Sequence, residues 1–88
     1  MTRAEVQYVE VERYPVGETR FVLCACRQEG SELVIVTQEN GREYERFAAD
    51  RWYEARFYVG ESDTPRAYFA NPTPPERESV RPPVKAVA

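Results

Sequence analysis

The two cysteines are the residues best able to do chemistry, and they lie two positions apart at Cys24 and Cys26. On a strand, such thiols point to one face with Cα atoms about 7 Å apart, at the outer limit of disulfide geometry. A closed zinc site needs four nitrogen or sulfur ligands, and the chain has no other cysteine and no histidine. We therefore expect small buried residues, with no metal and no cofactor. A redox pair and a metal shared across a dimer are the alternatives.

The absence of histidine also removes the usual catalytic groups. Neither a Ser-His-Asp nor a Cys-His arrangement can be assembled within the chain, and the base that titrates near neutral pH is missing. The glycines never reach the spacing of a phosphate-binding loop. A domain of this size leaves little room for a sugar between two carboxylates. We predict that the protein is not an enzyme and has no catalytic residue.

The charge and hydropathy patterns bear on location and on polyanionic partners. The net charge is −3 at pH 7, which disfavours avid, non-specific binding to nucleic acid or to an anionic membrane. No apolar run approaches the roughly 18 residues that span a bilayer. The start MTRAEVQYVEVER lacks the apolar segment of a signal peptide. The expected location is the cytoplasm, where thiols stay reduced, and no membrane partner is expected.

Arginine is interleaved with aromatic residues in the segment REYERFAADRWYEARFYV, residues 42–59. These residue types are enriched at the hot spots of protein interfaces. They also stack on the bases of single-stranded nucleic acid. The alternative is that the aromatic side chains simply fill the core of a small domain. The candidate binding residues are Arg51, Trp52, Tyr53, Arg56, Phe57 and Tyr58.

The elements that must position these residues are mostly strands. The segments EVQYVEVERY, TRFVLCACR and ELVIVTQ predict an antiparallel meander of three strands, the last two with apolar residues on both faces. A helix is predicted at about residues 43–54, because residues 42–58 lack Gly, Pro and β-branched residues and repeat apolar side chains at helical spacing. Asn40 and Glu43 are typical of an N-cap with a capping box.

A competing interpretation takes Asn40 and Gly41 as a tight turn, which gives an all-β small barrel with a hairpin of residues 33–38 and 42–47. In either case ARFYV, GESDTP and RAYFA predict a final β-hairpin. With the helix, the predicted fold class is α+β and β-rich, and the element order is OB-like.

The chain is expected to divide into a folded part and a tail. Residues 1–70 hold every aromatic side chain and are predicted to form a single compact domain. Residues 71–88 contain five of the seven prolines. This composition predicts a proline-rich flexible tail.

These observations favour a small non-catalytic protein-binding module, an inhibitor or adaptor that an acidic surface steers to a larger protein partner. Small acidic inhibitors encoded by phages or other mobile elements share this profile. The first alternative is an OB-like protein that binds single-stranded nucleic acid. The second is self-association or a subunit of a larger assembly, in which another copy covers the apolar strands at residues 21–26 and 33–36.

Overall fold

The chain folds as two antiparallel β-sheets that face each other. The computed structural model describes residues 5–76. Sheet A has the strand order β2-β1-β6-β7 and sheet B the order β3-β4-β5. The strands are β1 (Gln7–Arg13), β2 (Glu18–Val22), β3 (Cys24–Glu29), β4 (Glu32–Thr37), β5 (Glu43–Phe47), β6 (Trp52–Val59) and β7 (Ala67–Ala70).

The hydrophobic core lies between the two sheets. Side chains of β1 and β6 from sheet A meet side chains of β3, β4 and β5 from sheet B. Full burial of one large apolar side chain contributes about 1.5–3 kcal/mol to stability, so this layer is the main source of folding free energy. Its members are Val9, Val11, Cys24, Leu33, Ile35, Phe47, Trp52 and Ala55, with Phe21, Cys26, Phe57 and Phe69 packed against them.

The helix predicted for residues 43–54 is wrong. That segment forms β5, a turn closed by the hydrogen bond from Arg51 N to Ala48 O (3.0 Å), and the first residues of β6. Helix propensity is a weak preference that tertiary packing overrides. Strand pairing is favoured here because it delivers Phe47 and Trp52 to the core and leaves Glu43 and Glu45 exposed.

The hairpin in the competing interpretation is confirmed, but the barrel is not. β4 pairs antiparallel with β5, and Leu33 lies opposite Phe47. The turn between them is longer than two residues, since Gly41 N donates to Thr37 O at 2.8 Å. Within residues 5–76 there is no helix and the sheets do not close, so the α+β class, the OB-like element order and the closed barrel are wrong. The prediction of a small β-rich domain is confirmed.

The three-stranded meander is also wrong, because the segment TRFVLCACR forms two strands in two different sheets. β2 ends at Val22 and β3 begins at Cys24. Leu23 between them has a left-handed φ of 64°, which turns the chain from sheet A into sheet B. The final hairpin is confirmed, since β6 pairs antiparallel with β7 and Phe57 lies opposite Ala67.

The folded body continues beyond residue 70. Asn71 is buried, and its amide group bonds to the backbone of the turn before β6 and of β6 itself. Thr73 Oγ1 lies 2.8 Å from Ser31 Oγ. The rest of the predicted tail, residues 77–88, lies outside the described residues. No helix in the described part of the chain is long and apolar enough to cross a membrane.

Candidate functional site

The candidate binding residues of β6 do not share one surface. Trp52 has no exposed surface, and its indole Nε1 donates to Ser31 O at 2.9 Å. Tyr53 is buried, with its ring tilted against Tyr14 at a centroid distance of 6.2 Å. Phe57 packs against the core. Their side chains serve the packing of the body and are not displayed together to solvent.

Tyr58 and Arg56 lie on the outer face of sheet A. Tyr58 is mostly buried and stacks on Tyr8 with ring centroids 4.7 Å apart. The Arg56 guanidinium contacts Glu18 and bonds to Glu54 at 3.1 Å. Arg56 is therefore held by carboxylates of its own sheet.

The outer face of sheet A is acidic. Arg20 Nη2 lies 2.6 Å from Glu10 Oε2, and the Arg20 guanidinium stands 4.7 Å above the Tyr8 ring. The register also places Glu12 between Glu18 and Glu54. Carboxylates thus outnumber guanidinium groups on these strands, which disfavours contact with phosphate.

Both cysteines face the core. Cys24 belongs to the buried cluster, Cys26 packs against it, and both are free thiols. Burial raises the pKa of Cys24, and it raises the pKa of Cys26 to about 12. The thiolate is the form that reacts and binds metals, so these thiols are poor nucleophiles at neutral pH. No group of three or more His, Cys, Asp or Glu within residues 5–76 is placed to hold a metal ion.

Alkylation measures this burial directly. We expect iodoacetamide at pH 7.5 to modify Cys24 and Cys26 at least about tenfold more slowly in the folded protein than in guanidinium chloride, because little thiolate is present. Mass spectrometry of the intact chain over time counts the added groups. Modification of either thiol at the unfolded rate would contradict the packing described above.

An open cleft lies at the corner where β2 turns into β3. Its volume is about 540 Å³, and residues 20–24, residues 37–39 and Tyr44 line it. Val22 and Leu23 are each 56% exposed and Tyr44 is 62% exposed. The Phe21 ring meets Tyr44 edge to face, with centroids 6.1 Å apart. Exposed apolar side chains around a concavity are typical of a binding site.

Leu23 is held at this corner by its backbone. Leu23 N donates to Gln7 O at 2.7 Å, and Gln38 N donates to Leu23 O at 2.9 Å. The Gln38 side chain adds bonds to Gln7 N and to Glu5 O. A left-handed φ costs a residue such as leucine about 1 kcal/mol, a cost that glycine would avoid. Strained backbone that carries an exposed apolar side chain points to use of that side chain.

A second hollow, of about 250 Å³, lies at the other end of β5 and is lined by Arg13, Tyr14, Arg51 and residues 45–47. Tyr14 N donates to Arg51 O at 2.9 Å, which fixes the end of β1 beside the turn before β6. Within residues 5–76, Arg13 and Arg51 have no carboxylate partner. Of the candidate binding residues, Arg51 is thus the one that remains exposed and unpaired.

Arg46 also borders this hollow, but unlike Arg13 and Arg51 it is paired with carboxylates. Its guanidinium bonds to Glu32 at 2.6 Å, to Glu43 at 2.8 Å and to Glu29 at 3.1 Å. These hydrogen bonds, with that of Glu43 the largest contribution, raise the pKa of Arg46. The three carboxylates more than balance the charge of Arg46, so the positive charge of the hollow comes from Arg13 and Arg51.

The fold and the cleft define a small two-sheet antiparallel β-sandwich with an apolar cleft at a strand corner. Comparison of the chain with protein-family models, with curated proteins and with solved structures finds no match in any of the three. Function is therefore argued from the site and not from the fold.

The residues of the cleft were not among the candidate binding residues, although the second alternative expected another copy to cover the strand at residues 21–26. The run FVLCAC, residues 21–26, is apolar at every position and predicted one strand covered on both faces. In the structure this run is divided at Leu23 between two sheets, and no residue type in it marks that division. Nothing in the sequence distinguishes Arg13 from the other arginines.

Proposed function

We propose that the protein is a small non-catalytic protein-binding module that acts as an inhibitor or adaptor of a larger protein, and that the corner cleft receives an apolar side chain of that partner. The observation that carries this proposal is Leu23, an exposed leucine at a φ of 64°. Glycine at this position would remove the strain, so the fold accepts a backbone cost at a residue that presents an exposed apolar side chain at the cleft.

The surroundings of Leu23 support a protein partner. Tyr44 and Val22 extend the apolar surface next to Leu23, and Tyr is among the residue types that dominate binding free energy at interfaces. The charged outer face of sheet A borders the cleft at Arg20 and suits long-range steering of the partner. Apolar anchoring with a charged periphery is the usual anatomy of a protein interface.

The two alternatives have less support. The residues offered for stacking on single-stranded nucleic acid include Trp52, Tyr53 and Tyr58, which are buried. No observation on residues 5–76 favours that alternative over protein binding. Self-association or a place in a larger assembly would use the same cleft, and the solution mass of the chain distinguishes it.

A glycine substitution separates binding from folding at this site. Leu23→Gly removes a left-handed strain of about 1 kcal/mol and loses roughly 1 kcal/mol of partial side-chain burial. Because these terms offset each other, we expect urea unfolding followed by circular dichroism to show a change of less than about 1 kcal/mol. A loss of more than about 2 kcal/mol would mean that Leu23 is a packing residue, which would overturn its assignment as the binding anchor.

The function is tested by differential capture from the host cell, with the full chain immobilised. We expect a protein that wild type retains to be lost with Leu23→Gly and with Tyr44→Ala. The matched control is Val16→Ser, which removes a 75%-exposed valine outside the cleft and leaves capture unchanged. Capture that is equal for all four chains would contradict the proposal. A dimer in sedimentation equilibrium that Leu23→Gly dissociates would favour self-association instead.

A further inference from the structure

The corner cleft lined by Leu23 and Tyr44 and the hollow lined by Arg13 and Arg51, which we call the arginine hollow, lie along one side of the sandwich. β2 and β5 are edge strands of the two sheets. Phe21 of β2 meets both Tyr44 and Phe47 of β5 edge to face, at centroid distances of 6.1 and 6.0 Å. We call this side the β2–β5 seam. Tyr44 borders the cleft at one end of the seam, and Phe47 borders the hollow at the other.

We infer that the seam binds an extended acidic peptide segment of the partner, with an apolar side chain in the corner cleft and a carboxylate at Arg13 and Arg51. This inference rests on the proposed function and names the chemistry of the segment that the partner must present. It adds the arginine hollow to the binding site.

Charge complementarity selects the carboxylate. Arg46 is already neutralised by its own carboxylates, whereas Arg13 and Arg51 have no such partner within the described residues. Glu45 also borders the hollow and offsets part of their charge. A single carboxylate of the partner, placed between two guanidinium groups, gains charge-assisted hydrogen bonds from both.

The geometry selects an extended conformation. β5 pairs only with β4 among the described strands, so backbone groups on its other edge are available to a further strand. Tyr44 and Phe47 are three residues apart, which on a strand is about 10 Å. Side chains that face the same way on an extended segment are separated by an even number of positions, so the apolar residue and the carboxylate of the segment are two or four positions apart.

A peptide library tests the inference. The immobilised full chain is panned against random dodecapeptides displayed on phage, and enriched peptides are synthesised with a fluorescent label. We expect the enriched sequences to share an apolar residue and an Asp or Glu at that spacing. Fluorescence anisotropy then measures their affinity for wild type, Leu23→Gly, Arg13→Ala and Arg51→Ala. The matched control is Arg66→Ala, which removes an exposed arginine that does not line the seam.

The expected result is a five- to tenfold loss of affinity, about 1–1.4 kcal/mol, for Arg13→Ala and for Arg51→Ala. Arg66→Ala stays within about twofold of wild type. A peptide whose acidic residue is replaced by its amide is weaker and no longer responds to either seam arginine, which isolates the pairwise contact.

Failure of this inference can be distinguished from failure of the proposed function. Enriched peptides that need Leu23 but ignore both seam arginines would overturn the inference and leave the protein-binding cleft in place. The same holds if no peptide is enriched while differential capture still depends on Leu23. Peptides whose affinity falls with Arg13→Ala and Arg51→Ala but not with Leu23→Gly would overturn both the inferred segment and the role of the cleft in binding.

Discussion

Replacing Trp52 with alanine is expected to lower the free energy of unfolding by about 3–5 kcal/mol. The side chain has no exposed surface and lies in the layer between the sheets, on the central strand β6. Its indole N–H bonds to Ser31 O and so ties β6 to the turn between β3 and β4. A small domain has about 3–5 kcal/mol of stability in total, so a large part of the variant should be unfolded at 25 °C.

Circular dichroism during urea titration measures this effect. Trp52→Phe keeps most of the buried area but loses the indole hydrogen bond, and we expect it to cost about 1–2 kcal/mol. Tyr44→Ala is the matched control, because it deletes an aromatic ring that is 62% exposed, and it should cost less than about 1 kcal/mol. An unfolding midpoint for Trp52→Ala equal to that of wild type would show that the core is not where we place it.

The burial of Trp52 also explains why the binding residues could not be found in the sequence. Interleaved arginine and aromatic residues have the same composition whether they cover a surface or fill a core. The adjacent aromatic pairs Trp52–Tyr53 and Phe57–Tyr58 are the useful signal, because neighbouring residues of a strand point to opposite faces. Such pairs indicate an interior strand with aromatic side chains on both faces, and β6 lies between β1 and β7 in sheet A.

The local parts of the fold were predictable and the non-local parts were not. The β6–β7 hairpin depends on short-range turn chemistry and is found as predicted. A turn that contains Gly41 also joins β4 to β5, but it is longer than the predicted two-residue turn. The pairing of β1 with β6 joins Gln7 to Val59 and has no local signature. The helix error has the same origin, because Glu, Arg and Ala favour a helix until strands elsewhere in the chain provide partners.

The candidate site depends on both the local conformation of the chain and contacts between distant segments. The left-handed conformation of Leu23 forms the corner at which the cleft lies. The sequence does not indicate this conformation, because glycine is the residue expected at a positive φ. The arginine hollow requires the end of β1 and the turn before β6 to meet, which the Tyr14–Arg51 backbone bond records. Cys24 and Cys26 carry the chemistry that is visible in the sequence, but in the fold Cys24 is buried and Cys26 is partly buried against the core.

Replacing Asn71 with aspartate is expected to cost about 3–5 kcal/mol at pH 7, because it places an uncompensated charge in a buried site. Asn71 is 5% exposed, and its Nδ2 donates to Ala49 O at 2.7 Å and to Trp52 O at 2.8 Å. Its Oδ1 accepts from Thr73 N at 2.9 Å. A carboxylate keeps the acceptor but turns negative charge toward two carbonyl oxygens.

The stability lost in Asn71→Asp should increase as pH rises. Burial beside the carbonyl oxygens raises the pKa of the new carboxyl in the folded state above its unfolded value of about 3.9. The folded variant then binds more protons than the unfolded chain, so its stability falls as pH rises from about 4 toward neutral. At pH 4 the protonated carboxyl donates one hydrogen bond, and most of the loss is recovered.

Urea unfolding at several pH values tests this, with the variant always compared with wild type at the same pH. Hydrogen bonds from Arg27 and then Arg46 lower the pKa of Glu29, and a hydrogen bond from Arg46 lowers that of Glu43. These two ion-paired carboxylates stabilise both proteins, and both proteins lose that stabilisation as pH falls through the lowered pKa values. It therefore cancels when the stability of the variant is compared with that of wild type.

The matched control for Asn71→Asp is Asn40→Asp. Asn40 is exposed, and its Oδ1 accepts from Thr37 Oγ1 and from Arg42 N, contacts that a carboxylate keeps. It should change stability by less than about 0.5 kcal/mol at any pH. If Asn71→Asp shows an equally small or pH-independent difference, the chain beyond residue 70 is not anchored in the body. A clear pH-dependent loss would place the end of the folded body at or after Asn71.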